Sequence, residues 1–140
     1  MVANDRRRGS AGSGDGTSRK IRRRWRDYST ASGNHPVKDF LMGLPDVDKA
    51  EIVAAMRDIA VHGLELARHL RGEIWEVRAS GEDLTYRILF AEEGKRGQVL
   101  LSLNGFAKKT QKTPNDEIET AERRLRDWRE RGRRRRMSRL

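Results

Sequence analysis

The chain has 140 residues, 31 of them Lys or Arg against 21 Asp or Glu, a formal net charge of +10, and no cysteine. That length holds one domain, the absence of thiols excludes a disulfide frame and thiolate chemistry, and no apolar stretch approaches the ~18 residues of a membrane-spanning helix. The charged N-terminus lacks an apolar signal core, so the expectation is a cytoplasmic protein with no membrane partner.

The charge is concentrated at the ends. Residues 1–20 carry a net +3, residues 131–140 a net +6, and residues 21–130 only +1. Neither end has the apolar surface to offset its ordering entropy, so both are expected to be disordered basic tails around a folded domain at 21–130. Basic tails attract nucleic acid in a salt-dependent way without reading sequence.

Along the domain, Ile21–Tyr28 reads as a first strand carrying Arg22, Arg23, Arg24 and Arg26. Asn34 before Pro36 marks a helix start, and a short helix through Val37, Phe40 and Leu41 would end at Gly43. Asp48 with Glu51 fits a capping box in outline, and Val53, Met56, Ile59 and Ala60 repeat on one face of a second helix closed by His62-Gly63. Arg68–Arg71 reads as a loop.

Glu73–Ala79 and Asp83–Phe90 form a hairpin in this reading, with Gly81-Glu82 as a two-residue type II′ turn. That turn sets Arg78 opposite Thr85, Glu76 opposite Arg87, and Val77 opposite Tyr86. Trp75, Val77, Leu84, Tyr86, Ile88 and Phe90 then share a core face, leaving Glu76, Arg78, Thr85 and Arg87 on an open one. Residues 98–106 supply a third strand. Thr113 would cap a last helix with Pro114 at its first position, a seam of Ile118, Ala121, Leu125 and Trp128, and an end at Gly132. The whole is α+β: an antiparallel sheet with two N-terminal helices and a C-terminal helix packed on one face.

Chemistry concentrates after the third strand. Lys108, Lys109 and Lys112 fall within five positions, and no acid stands between Glu93 and Asp116. They read either as a solvated turn or as a phosphate-holding wall in which crowding of like charges favours loss of a proton from one lysine, whose neutral amine then serves as general base. Arg87 reads as the partner of Glu76 in a cross-strand ion pair, which leaves Arg78 unpaired, or the two arginines read together as a bidentate phosphate clamp suited to a pentacoordinate phosphorane. Arg71 and the arginines at 22 and 24 are further candidates for backbone contacts. His35, His62 and His69 lack metal-ligand spacing, and there is no phosphate-binding Gly loop or nucleophile elbow, so no metal or cofactor is expected.

Taken together, Pro36–Leu41 leading to Leu44-Pro45, Leu70–Arg78, Tyr86–Phe90, Phe106–Lys109 and Lys112–Pro114 resemble, in order and spacing, HigB-like toxins of the RelE/ParE superfamily. The resemblance spans residues 21–130. It implies a RelE-like fold and a ribosome-dependent mRNA endoribonuclease that uses no metal and cuts by attack of a ribose 2′-hydroxyl on the adjacent phosphate. It also implies a helix-turn-helix antitoxin as partner, beside ribosome and mRNA. By the same resemblance Arg78 and Arg87 clamp phosphate, Lys108 or Lys109 acts as base or electrostatic stabiliser, and Lys112 holds the backbone. Asn104 stands where many relatives carry His; it can hydrogen-bond RNA but cannot transfer a proton. The alternatives are a non-catalytic nucleic-acid-binding protein of the same fold and a regulatory subunit that binds through its tails.

Overall fold

The computed structural model of the chain describes residues 21–139, so the expected N-terminal tail at 1–20 lies outside the described residues. The elements are β1 (Arg24–Asp27), α1 (Pro36–Met42), α2 (Asp46–His62), a 3-10 turn (Leu64–Leu66), β2 (Arg68–Arg71), β3 (Ile74–Ser80), β4 (Thr85–Glu93), β5 (Val99–Lys108) and α3 (Asn115–Ser138). The fold is α+β, with a five-stranded sheet in the order β1-β5-β4-β3-β2.

The sheet is mixed rather than wholly antiparallel, because β1 runs parallel to β5. The helices cover both faces rather than one. Val37 of α1 and Ile52, Met56 and Ile59 of α2 pack on Val77, Tyr86, Ile88, Phe90 and Leu100. Ile118, Ala121 and Leu125 of α3 pack on Ile74, Leu89, Leu101, Leu103 and Phe106. Each helix buries one apolar stripe, and a sheet whose central strands are apolar on both sides needs cover on both.

Local details differ from the sequence reading. His35 rather than Asn34 precedes the first turn of α1, and α2 starts at Asp46 behind Pro45. Asp48 does not cap that helix; its carboxylate accepts a hydrogen bond of 2.6 Å from the Tyr86 hydroxyl. Residues 68–71 are not a loop but the edge strand β2, paired with β3. Gly132 does not end α3, which continues to Ser138, so the arginine-rich segment expected to be disordered is helical to that point.

The hairpin also closes differently. Its register pairs Ser80 with Thr85, Arg78 with Arg87 and Trp75 with Phe90, two residues away from the expected pairing. Gly81 has no positive φ, which a type II′ turn would need there. Instead four residues connect the strands, with the Gly81 N–H donating to the Leu84 carbonyl at 2.8 Å. A slip of two leaves every side chain on its face, so the expected sorting of faces survives while the partners change.

A second irregularity matters more for the site. Leu89 pairs with Asn104 but Phe90 pairs with Ser102, so Leu103 is an extra residue in β5. Such a bulge inverts the alternation beyond it. As a result Asn104, Phe106 and Lys108 share the face of Arg87 and Thr85, and Gly105 faces α1.

Candidate functional site

Alternation along β3 and β4 places Glu76, Arg78 and Arg87 on the α3 side of the sheet, and the β2–β3 register adds Arg68 opposite Glu76. Arg78 and Arg87 lie directly opposite one another. Two cations in that position repel, so the arrangement needs a counter-charge close by. Glu76 supplies it: its carboxylate is buried and accepts a hydrogen bond from Arg78 Nε at 2.6 Å. The expected Glu76–Arg87 ion pair across the strands is therefore replaced by a Glu76–Arg78 pair within one strand.

The Lys109–Pro114 segment folds back over this cluster. Arg78 Nη2 donates to the Gln111 carbonyl at 2.5 Å and Nη1 to Gln111 Oε1 at 3.3 Å. Arg87 donates to the Thr110 carbonyl, and to Thr113 Oγ1 at 3.4 Å. The Thr113 hydroxyl in turn donates to the second oxygen of Glu76. Thr113 is thus a buried tie between loop and sheet and not the cap of α3, whose first residue is Asn115.

The face is consequently not open. Arg87 is 0% exposed and its Nε is buried without a hydrogen-bond partner. Burial and the neighbouring Arg78 lower its pKa, with Glu76 opposing. Closed beneath the loop, the Arg87 guanidinium is engaged by the Thr110 carbonyl and the Thr113 hydroxyl. Arg78, with 23% of its side chain exposed, reaches the surface at the edge of the loop. Lys108 at the end of β5, and Lys109 and Lys112 in the loop, are all exposed. Register thus puts Arg68, Arg78 and Lys108 on one face, and the loop that bears Lys109 and Lys112 crosses it, forming a basic rim with the buried Glu76 and Arg87 beneath.

The remaining candidates lie elsewhere or are engaged. Arg71 is held by Glu122 through two hydrogen bonds of 3.2 and 2.9 Å and by Asn115 at 2.5 Å, so it ties β2 to α3 and is not free for a phosphate. Asn104 is buried at 7% exposure. It donates to the carbonyl and carboxylate of Glu117 and accepts from Arg124, which makes it a strut between β5 and α3. Arg22 and Arg24 are exposed at the β1 edge, two strands removed from β3 and beside the opposite end of β5 from Lys108. They do not join the rim. Tyr86 sits in the core on the α2 side, as the alternation required.

Sequence reasoning missed the role of Glu76 as the anion that holds the cluster, and of Gln111 and Thr113 as its loop partners. Alternation already placed Glu76 beside Arg78, but only the folding back of the loop reveals the rest. Among the described residues no group of three or more His, Cys, Asp or Glu converges as a metal site, and no helix is long and apolar enough to cross a membrane. Chemically, the rim can hold a phosphodiester and spread negative charge over guanidinium and ammonium groups.

Residues 39–126 match the family described as phage derived protein Gp49-like (DUF891). The chain is 32% identical over 107 residues to the protein named probable endoribonuclease HigB1 in two strains of Mycobacterium tuberculosis; the alignment covers 74% of this chain and 83% of the relative.

Proposed function

This chain belongs to the Gp49-like family of phage-derived proteins, a HigB-like branch of the RelE toxins, and on that premise we propose that it is the toxin of a toxin–antitoxin pair, an endoribonuclease that cuts ribosome-bound mRNA. The observation that supports the reading is the basic rim: Lys108 shares the sheet face of Arg78, and the loop that bears Lys109 and Lys112 is held over that face by Arg78 and Arg87, in a domain whose net charge at 21–130 is only +1.

In the proposed reaction one rim lysine, in its neutral form, takes the proton of a ribose 2′-hydroxyl as the oxygen attacks the adjacent phosphorus. Arg78 and the remaining lysines stabilise the charge that grows on the phosphorane oxygens. The P–O5′ bond breaks, leaving a cyclic 2′,3′-phosphate and a 5′-hydroxyl, with the ammonium group of a second rim lysine giving its proton to the departing oxygen. No metal takes part in the scheme. Arg87 acts as a positioning residue through the loop it pins, a revision of its expected role as a direct clamp. The ribosome contributes by orienting the message, which relieves the protein of that entropic cost. A helix-turn-helix antitoxin that masks the rim completes the proposed biology.

Expression without an antitoxin should arrest growth, with mRNA cut inside translated codons. Lys108→Ala should abolish cutting while leaving far-UV circular dichroism and stability unchanged, and Arg78→Ala should abolish it with an added loss of stability from the buried Glu76 left without its partner. Undiminished cutting in both would remove the rim from the chemistry. The closure of Arg87 under the loop favours a second reading, a non-catalytic nucleic-acid-binding protein of this fold; message bound but never cut by the intact chain would select it.

A further inference from the structure

The last turns of α3 contribute nothing to the core. Trp128 is the last residue packed on the α3-side cluster. Arg129 reaches Glu73 and Glu93 at 2.6–3.0 Å, and Arg131 reaches Asp127 and the Ser29 carbonyl. Beyond Gly132, every residue from Arg133 to Arg139 is exposed. At 1.5 Å per residue, the six helical residues 133–138 project about 9 Å past the body of the domain.

That projection is costly as pure scaffold. Gly132 disfavours helix by ~1 kcal/mol relative to Ala. Arg131 and Arg135, and again Arg135 and Arg139, are like charges at i,i+4 spacing, which also oppose the helix. Glu130 offsets part of this by pairing with Arg133 and with Arg134, and the helix C-terminus favours positive charge. Arg135, Arg136 and Arg139 remain without an acidic side chain nearby on the segment.

The azimuths narrow the partner. Arg133, Arg134, Arg135 and Arg136 succeed one another by ~100° each, so their guanidinium groups surround the axis instead of forming a stripe. A helix lying on a membrane needs an apolar face, and Met137 is the single large apolar side chain here. The segment also holds no Asn, Gln or aromatic residue to read or stack on bases beside its arginines, and guanidinium groups spread around the axis cannot all face one groove, which leaves phosphates as their main targets. Guanidinium groups aimed in all directions suit a polyanion that offers phosphates from several sides, as folded RNA does and the two parallel phosphate rails of duplex DNA do not.

We infer that the projecting end of α3, Arg133–Arg139, docks on the phosphate backbone of folded RNA without regard to sequence. The inference rests on the reading of the protein as a ribosome-directed nuclease and adds to it an anchoring surface separate from the cutting rim. Binding would relieve the repulsion among the arginines, so helix and partner stabilise each other.

The test uses the full chain and its R135Q/R136Q/R139Q variant, since Gln is close to Arg in helix preference. Affinity would be measured by fluorescence anisotropy across a salt series for a bulged RNA hairpin, a DNA duplex of equal length and phosphatidylglycerol vesicles. The expected result is tightest binding to the hairpin and a salt slope lower by about 3 in the variant, roughly one for each phosphate that an arginine no longer neutralises. An unchanged slope overturns the inference, as does equal or tighter binding to the duplex or the vesicles through the same arginines. Message cutting is scored in parallel. A lowered slope in a protein that never cuts would sink the nuclease reading and keep the anchor; cutting with an unchanged slope would do the reverse.

Discussion

At the scale of single residues, Glu76 governs the site. It is the buried carboxylate between two facing arginines and the acceptor for Thr113, so it neutralises Arg78 and fixes the loop that carries Lys109 and Lys112. Removing one partner from a buried charged pair costs ~3–5 kcal/mol, because the other is left uncompensated. Glu76→Gln keeps the shape but removes the charge, and should lower stability by about 3 kcal/mol in urea unfolding. Within the proposed function it should also release the lysine loop, seen as faster hydrogen exchange at Thr110–Thr113. A variant as stable and as well protected as the parent would show that Glu76 is not the counter-charge assigned to it.

At the scale of elements, the close approach of α1 to β5 depends on Gly105. A Cβ built there would lie 2.6 Å from the Phe40 ring and 3.1 Å from Ile88. Gly105→Ala should therefore destabilise by ~1–3 kcal/mol through overpacking, read as a lower thermal midpoint. At Gly132 the space is free, since a Cβ would meet only Arg136 Nη1 at 3.7 Å. Gly132→Ala should raise helicity and strengthen α3 by up to ~1 kcal/mol; a drop in helicity there would contradict the continuous helix. The two glycines look alike in the sequence, and only their neighbours separate them. The seam of α3 was legible from periodicity, and β5 from its apolar run. The bulge at Leu103 was not, because nothing in Leu100–Gly105 marks which residue is left unpaired.

At the scale of the molecule, α3 is fastened to the sheet side by polar ties as well as by its apolar seam: Arg71 pairs with Glu122, Arg129 with Glu73 and Glu93, and the Tyr28 hydroxyl donates to Asp127, which Arg131 braces from within the helix. Hydrogen bonds from Arg129 and Arg71 hold the carboxyls of Glu73 and Glu122 below the ordinary 4.5. Tyr28 and then Arg131 do the same for Asp127 below 3.8. A depressed folded pKa means that the unfolded chain binds the proton first. The contribution is thus complete above the unfolded pKa and lost as pH falls through the folded values. The urea midpoint should stay level from neutral pH to about 5 and decline below it, more gently in Glu122→Gln. A midpoint that rises on acidification would contradict these tethers.

The sequence by itself determined which residues share a face. Side-chain parity along a strand survives a two-residue slip, so Glu76, Arg78 and Arg87 were placed together even though the turn and the partners were misread. It also determined the apolar stripe of α3, most of that of α2, where Ile52 rather than the expected Val53 enters the core, and the local excess of lysine after β5. Tertiary structure alone decided that the arginine face is closed, that Lys108 joins it, and that Arg71 and Asn104 are struts. Those outcomes depend on one bulged residue and on a loop returning across the sheet. Both are set by interactions between segments far apart in the chain, where local pattern carries no information.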